Sequence, residues 1–365
     1  MATSCFFNMS KSKLKDALMA ANIETLSFRK KLSLPPSITF GNEIEVNDLD
    51  LSSASKIVSS FNNIHHLNNN NGFAVTEDYS VASEIITPIL KDKESHWNSF
   101  GVMYDTLKMT SATIGKNTSS HVHIGMEKID SFDKLSTLIK TLVVFEPIIF
   151  MFGYGYGDQP REFIKAKPFS SIYSMVMTPS KVASFVNMLD FYFMFSDDAI
   201  IKQFNSFNNN DNKYRAVFNF RCFDIEKLLG YYKCNDHMEV RCFNGTLDKE
   251  IAQNNINLVA SIVNAVASDR IDSQYIDTLY YQYINLTYNY DCYVANLDAR
   301  DCDSYNRLLA SYRMLDLNKA LKLADMVFVD DRDKLYFLKQ YLKLFNKNEE
   351  YVNNLLKQKE VIASL

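Results

Sequence analysis

The stretch FGNEIEV at residues 40–46 decides the fold and indicates where a site would lie. Side chains two apart on a strand point to the same face, so Glu43 and Glu45 share one face of this predicted strand. The apolar residues beside them face the other way, which predicts a strand that lies on a core. Two adjacent carboxylates need water or a cation opposite them, and Mg²⁺ prefers such oxygen ligands. Taken alone, the pair is more often an ordinary exposed strand surface than a metal site.

Two later segments repeat this alternation of apolar and polar residues. SSHVHIG at 119–125 puts His121 and His123 on one face, and HMEVRC at 237–242 does the same for Glu239 and Arg241. A metal and a phosphate would suit these groups, because the planar guanidinium of arginine binds phosphate oxygens in pairs. The structural alternatives are a satisfied histidine pair and an ion pair without function.

Three more charged residues complete a candidate constellation. Asp78 and Glu84 add carboxylates on a neighbouring pair of predicted strands, and Arg215 adds a cation at the start of another. Each is unremarkable by itself. Like charges concentrated on one sheet face are costly without compensating metal and phosphate, so their joint occurrence favours a site.

Composition excludes some classes of protein. The 365 residues carry a formal net charge of −4, which gives no basic surface for nucleic acid. The six cysteines form no Cys-x-x-Cys motif, which is typical of reduced thiols in a cytoplasmic protein. The longest apolar stretch, 142–152, is about half of what a bilayer requires and predicts a buried helix rather than a membrane anchor. We therefore expect a cytoplasmic protein, in the host cytoplasm if a phage encodes it.

The pattern along the chain predicts an α+β fold built on an antiparallel sheet flanked by helices. We expect an N-terminal helical segment over 1–36, a catalytic domain over 37–270, and a helical C-terminal region over 271–365 packed on it. The predicted strands are 38–46, 73–76, 82–88, 119–126, 214–222 and 236–243. The predicted helices are 10–31, 53–67, 92–113, 131–152, 179–196, 246–268, 303–325 and 331–358.

The motifs occur in an order that resembles a known family. They are FGNEIE at 40–45, DYSVASEIITPIL at 78–90, SSHVHIG at 119–125, YRAVFNFR at 214–221 and HMEVRCFNGTLD at 237–248. Together they resemble the amidoligase family, which has the carboxylate–amine ligase fold of glutamine synthetase and glutamate–cysteine ligase. The resemblance covers about 40–250 and implies a curved antiparallel sheet that forms an open half-barrel.

The resemblance also implies roles for the charged residues. Five of them match metal ligands: Glu43, Glu45, Glu84, His121 and Glu239. His123 matches the histidine near the ATP phosphates, and Arg215 and Arg241 match phosphate-binding arginines. Asp78 is expected to act on the side of the amine acceptor. The catalytic set is then Glu45, Asp78, Glu84, Arg215 and Arg241, with ATP and Mg²⁺ or Mn²⁺ as cofactors.

The implied activity is ATP-dependent formation of an amide or peptide bond through an acyl phosphate, on an amino-acid or peptide substrate or a protein side chain. Such chemistry depends on positioning and charge neutralisation. Two alternatives remain open: a zinc hydrolase using His121 and His123, and a binding or structural protein on a catalytically retired scaffold. The oligomeric state stays open, and the short N-terminal segment does not imply a ring like that of glutamine synthetase.

Overall fold

The fold is known from a computed structural model of the chain. The structure describes six stretches: residues 26–68, 71–154, 179–208, 216–231, 236–294 and 316–342.

Seven strands form one open antiparallel sheet. They are β1 (Thr39–Val46), β2 (Ala74–Thr76), β3 (Ser83–Ile86), β4 (Leu90–Lys91), β5 (Ser119–Gly125), β6 (Phe218–Asn219) and β7 (His237–Asn244). Their order across the sheet is β2-β3-β1-β5-β7-β6, and the short β4 pairs with the beginning of β1. The predicted antiparallel sheet with flanking helices is therefore confirmed.

Helices flank the sheet and follow it in sequence. They are α1 (Leu51–Ile64), α2 (Glu94–Lys108), α3 (Phe132–Tyr154), α4 (Pro179–Asp190), α5 (Asp197–Asn208), α6 (Lys249–Ala267), α7 (Ser273–Val294), α8 (Leu317–Val327) and α9 (Asp331–Leu342). Two short 3₁₀ helices lie at Tyr192–Met194 and Ile225–Leu229. The predicted strand over 214–222 is described only from residue 216. Within 216–222 the strand β6 ends at Asn219, because the chain turns immediately after it and the Arg221 N–H donates to Asn219 Oδ1.

The sheet has one apolar face, which we call the back face. Phe40, Ile44 and Val46 of β1 are each at most 2% exposed on this face, as are Val122 of β5 and Val240 of β7. The opposite face, the front face, carries the charged side chains of the same strands. The alternation predicted from the sequence thus separates a core from a polar surface.

One polar residue, Asn42, lies on the back face, as its place in the alternation predicts. It is 1% exposed and its amide donates to Ser120 Oγ at 2.8 Å and to the His121 carbonyl at 2.7 Å. Tyr104 of α2 donates its hydroxyl to Asn42 Oδ1 at 2.7 Å. These bonds satisfy a buried amide and join β1, β5 and α2 directly behind the site.

Helix α3 forms the centre of the helical layer on β7. The region Phe132–Gly153 is long and apolar enough to cross a membrane by length and composition, but 89% of its apolar window is buried inside the protein. Gly153 permits the close contact, since a Cβ there would lie 2.6 Å from the carbonyl oxygen of Cys242. Helix α3 is therefore packed as a core helix of this fold.

The N-terminal segment departs from the prediction. Residues 1–25 lie outside the described residues, and residues 26–36 form no helix, so the predicted helix does not reach 31. The backbone N–H groups of Leu32 and Leu34 donate instead to the two carboxylate oxygens of Asp92. Arg29 pairs with Asp333 of α9, which ties this segment to the C-terminal helices.

The C-terminal helices α7, α8 and α9 pack mainly against α3 and α6. Residues 303–315 and 343–358 of the predicted helices lie outside the described residues. Ile271 and Ile276, on the C-terminal side of the predicted domain boundary, belong to the same apolar core as the sheet. The boundary between 270 and 271 stays a prediction.

Candidate active site

Residues far apart in sequence meet on the front face, because β1 lies between β3 and β5. Glu45 of β1 is directly opposite Glu84 of β3. On the other side of β1, Glu43 is opposite His121 of β5, and His123 of β5 is opposite Glu239 of β7. The antiparallel register thus collects most of the predicted site residues at the centre of the sheet.

Three carboxylates form the first group, which we call the acidic cluster: Glu45, Asp78 and Glu84. One oxygen from each lies within 4.8 Å of the others. Glu45 and Glu84 are 3% and 7% exposed. Burial, together with the negative charges of Glu43, Glu45 and Asp78, raises the pKa of Glu84 to about 8. This cost is what a bound cation would relieve.

The surrounding backbone fixes two members of the acidic cluster. The N–H of Ser119 donates to Glu45 Oε2 at 2.7 Å. The N–H of Ser80 donates to Asp78 Oδ1 at 2.6 Å, inside the loop between β2 and β3. Asn117 donates to the carbonyl of Ser80 at 2.7 Å and anchors that loop. The carboxylates are therefore oriented by the fold.

Glu43, His123 and Glu239 form the second group, the central cluster, with one ligand atom from each within 4.8 Å of the others. Glu43 Oε1 lies 2.8 Å from His123 Nε2, and Glu43 Oε2 lies 2.7 Å from His121 Nδ1. Burial opposes the ionised form of Glu43, but these two hydrogen bonds outweigh it and hold the pKa of Glu43 well below its usual range. Burial lowers the pKa of His123, but its bond to Glu43 prevails and raises that pKa above its usual value.

His121 lies between the two clusters and is only 1% exposed. Its Nε2 is 2.9 Å from Ser119 Oγ, and its Nδ1 bonds to Glu43. Carboxylate oxygens of Glu45 and Glu239 each lie 3.4 Å from the ring nitrogens. Both nitrogens are engaged, so His121 orients the carboxylates around it. His121 thus contacts Glu43, Glu45 and Glu239. His123 contacts Glu43 and shares the central cluster with Glu239, so both histidines lie among the carboxylates of the candidate metal site.

Arg241 lies beside the central cluster and pairs with Glu239 Oε1. Asn219 of β6 donates to Glu239 Oε2 at 2.8 Å, so both oxygens of Glu239 are held. Arg215, the other predicted phosphate-binding arginine, lies outside the described residues.

A cleft with a volume of about 380 Å³ opens on the front face next to the central cluster. Its lining includes the apolar residues Ile86, Pro88 and Ile89 and the rings of His123 and His237. Gly41 forms part of the lining. A Cβ at Gly41 would meet only His123 Cβ and Thr87 Oγ1, both at 3.7 Å, which is ordinary contact. The packing around position 41 thus leaves room for a Cβ, although the residue there is glycine.

Sequence reasoning missed two residues of the site. Ser119 and Asn219 lie inside quoted motifs, SSHVHIG and YRAVFNFR, but short polar residues at strand ends have no distinctive pattern. Ser119 bonds to His121 two residues along the same strand and to Glu45 of the neighbouring β1. Asn219 bonds to Glu239 through the pairing of β6 with β7.

The donor set of the two clusters fits Mg²⁺ or Mn²⁺. The acidic cluster offers only oxygen ligands, and the central cluster offers two carboxylates and one histidine. Hard divalent cations prefer oxygen, whereas protein zinc sites are rich in histidine and cysteine. Among the residues that the structure describes, neither cluster contains a cysteine or a second histidine.

Comparison with known proteins agrees with this geometry. A family model described as "Putative amidoligase enzyme" matches residues 48–263. The chain belongs to this amidoligase family. A search of curated proteins finds no match.

The amidoligase match includes β3, β5 and β7 and therefore Glu84, both histidines, Glu239 and Arg241. It begins after β1, so Glu43 and Glu45 join the site through strand pairing alone. Membership of the family supports an amide-forming ligase.

Proposed function

We propose that this amidoligase is an ATP-dependent carboxylate–amine ligase. The observation that carries the proposal is the pair of adjacent oxygen-rich clusters on the front face, with Arg241 beside one of them. In the proposed reaction the terminal phosphoryl group of ATP is transferred to a substrate carboxylate. An amine then attacks the resulting acyl phosphate, phosphate leaves, and an amide remains.

The two clusters would hold Mg²⁺ or Mn²⁺, which would neutralise the charge of the phosphates during phosphoryl transfer. Glu45, Asp78 and Glu84 would be the ligands of one ion. Glu43, His123 and Glu239 would be those of the other, which exchanges the roles that the sequence suggests for His121 and His123. In this arrangement His121 is a positioning residue, since its ring nitrogens bond to Glu43 and Ser119.

The chain's own residues provide positioning and charge. Arg241 would bind phosphate oxygens with its planar guanidinium once a nucleotide draws it from Glu239. The cleft beside His123 would accept the nucleoside part of ATP, since it adjoins the central cluster and has a floor without a side chain at Gly41. Asp78 would lie on the side of the acidic cluster that faces the amine.

Incubation with Mg²⁺, ATP and a panel of amino acids and short peptides tests the proposal, with mass spectrometry to detect loss of water between two substrates. ADP should appear only when both an acid and an amine are present. Glu45→Gln and Arg241→Ala should abolish turnover without unfolding the protein. Asp197→Asn, which removes an exposed carboxylate outside both clusters, is the matched control and should keep full activity.

Two results would contradict this proposal. Full turnover by Glu45→Gln would show that the site is elsewhere. Hydrolysis supported by Zn²⁺ without ATP would replace the ligase with the hydrolase alternative. A protein that binds Mn²⁺ and ATP but joins no pair from a broad panel would favour the retired scaffold.

A further inference from the structure

The outer edge of the sheet at β2 leads directly into the acidic cluster. Within the described residues β2 pairs only with β3, and its last residue, Thr76, is two positions before Asp78. Asp78 shares the acidic cluster with Glu84, which is the strand partner of Thr76. A chain paired to this edge would therefore lie beside the proposed site.

The hydrogen-bonding pattern shows which backbone groups of β2 face outwards. The Thr87 N–H donates to the Asn42 carbonyl at 2.9 Å, which fixes the alternation between β1 and β3. By this alternation Ile85 bonds towards β1, whereas Glu84 and Ile86 bond towards β2. Their partners in β2 are Thr76 and Ala74, so the N–H and C=O of Val75 point to the outer edge. By the same alternation Phe73 faces outwards, but its N–H and C=O are bonded to the side chain of Asn62 in α1. An added chain would therefore pair with Val75 and extend towards Asp78.

Such an edge is a template for an added strand. A strand edge recognises an extended peptide through main-chain hydrogen bonds, with little dependence on the peptide's sequence. The Val75 side chain packs partly against the core, so its backbone position is fixed. The loop that follows is anchored by the bonds that Asp78 and Asn117 make to Ser80.

Direction and charge identify which end of a peptide would reach the site. Every strand pair in this sheet is antiparallel, and β2 runs towards Asp78. A peptide added antiparallel to β2 has its N-terminus at the Asp78 end. Three ionised carboxylates and one divalent cation leave the acidic cluster with a net negative charge. It therefore attracts an ammonium group and repels a carboxylate, and charge favours the same direction as the strand pairing.

We propose that the amine substrate of this ligase is an extended peptide that adds as a strand at the β2 edge and presents its N-terminal amine to the Asp78 side of the acidic cluster. The reaction of the amine rests on the proposed function, whereas the binding of the peptide does not. An ammonium group so placed would first lose one proton to water to become the nucleophile. The amine would lose a second proton as the new amide bond forms and phosphate leaves.

Amide hydrogen exchange tests the binding without any turnover. An alanine pentapeptide amide is added to the full-length protein, with either a free or an acetylated N-terminus. The free amine should slow exchange at Val75 at least tenfold, and acetylation should weaken the peptide's affinity at least tenfold. Unchanged exchange at Val75 would overturn the proposal, and equal affinity of the two peptides would overturn the assigned direction.

Two substitutions of Val75 distinguish peptide binding through its backbone N–H from binding through its side chain. Val75→Pro removes the outward N–H, at an edge position where proline is tolerated. Val75→Ala keeps this N–H and shortens the side chain. Peptide affinity should fall at least tenfold in Val75→Pro and stay within twofold in Val75→Ala, while Mn²⁺ affinity is unchanged in both. Equal peptide affinity in the two variants would count against strand addition.

The outcome also distinguishes this inference from the ligase proposal. If the chain joins acids and amines but Val75→Pro has the same KM for peptide amines as the wild type, the edge is not used and the ligase proposal stands. If peptide binding behaves as expected but ATP is never consumed, the ligase proposal fails and the docking edge stands.

Discussion

Glu45 and Glu84 are directly opposite each other on neighbouring antiparallel strands, and both are almost fully buried. Like charges at opposed positions destabilise a sheet, and burial strengthens the repulsion. The protein limits this cost by holding a proton on Glu84, whose pKa is raised to about 8. A dication would remove the need for that proton.

Metal binding is therefore expected to release a proton from Glu84. Below pH 8 the metal-free carboxyl is mainly protonated, so Mn²⁺ affinity should rise about tenfold per pH unit up to pH 8 and then level off. Calorimetry in two buffers with different ionisation enthalpies measures the released proton. Glu84→Gln should bind Mn²⁺ more weakly and release no proton. Proton release unchanged in this variant would assign the titration to another group.

The stability of the metal-free protein should also depend on the ionisation of Glu84, but it should fall as pH rises, whereas metal affinity increases. Because the folded pKa of Glu84 lies above the unfolded value, the folded state binds more protons between about pH 5 and pH 8. The free energy of unfolding should fall as pH rises through this range. Urea denaturation should show that Glu84→Gln reduces this slope, leaving the part that the raised pKa of His123 contributes, and is more stable than the wild type at pH 8. Parallel curves for the two proteins would contradict the assignment.

Replacing His123 should mainly weaken metal binding, whereas replacing His121 should mainly lower stability. His123→Ala should lower Mn²⁺ affinity at least about tenfold, with a small effect on folding, because it removes one ligand of the central cluster. His121→Ala should destabilise the protein by about 1–3 kcal/mol, because it removes the hydrogen-bond partner of the buried Ser119 hydroxyl and one of the partners of the partly buried Glu43. Spin resonance of Mn²⁺ and thermal unfolding measure the two effects. The reverse result would restore the roles that the sequence suggests.

Gly41→Ala should separate folding from nucleotide binding. The new Cβ meets only ordinary contacts, and replacing glycine in a strand interior is favourable by about 0.5–1 kcal/mol, so the protein should keep or gain stability. A methyl group on the floor of the cleft should nevertheless weaken binding of a non-hydrolysable ATP analogue at least tenfold, as measured by calorimetry with Mg²⁺ present. Mn²⁺ affinity without nucleotide serves as the control and should not change. Unaltered binding of the analogue would place the nucleoside elsewhere.

Loss of the hydrogen bond from Tyr104 to Asn42 should clearly lower the stability of the protein. Tyr104→Phe leaves a buried amide oxygen without its donor, which should destabilise the protein by about 1–3 kcal/mol in urea denaturation. The same substitution at the exposed Tyr231 is the matched control and should change stability by less than about 0.5 kcal/mol. Similar losses in the two variants would mean that the buried bond contributes nothing of its own.

The sequence predicts the faces of the central strands because their alternation is strict. Glu43, Glu45 and Glu239 are on the front face, and the apolar residues between them are on the core side. Alternation does not determine which neighbours meet, since that depends on strand register. The two histidines illustrate the limit, since both face the front. Only the pairing with β1 and β7 shows that His121 also contacts Glu45 and Glu239, whereas His123 joins Glu43 and Glu239 in the central cluster.

Irregular pairing sets a second limit. The register between β5 and β7 shifts between Ser120 and Val122, opposite the part of β7 that carries Arg241. A bulge of this kind has no periodic signature in sequence, yet it changes the direction of a side chain. The turn that ends β6 at Asn219 likewise has no periodic signature, so the sequence predicts a longer strand there.

The position of β5 between β1 and β7 has a consequence for how the protein folds. The acidic cluster needs only residues 45–84. The central cluster takes Glu43 and Glu239 from strands almost 200 residues apart in sequence, so it does not exist until this long stretch of chain has closed on itself. Contacts of such high sequence separation form late, because closing a long loop costs entropy before any contact repays it. The ability of the central cluster to bind a metal ion is therefore acquired at the end of folding, and metal uptake by that cluster during refolding reports completion of the native sheet.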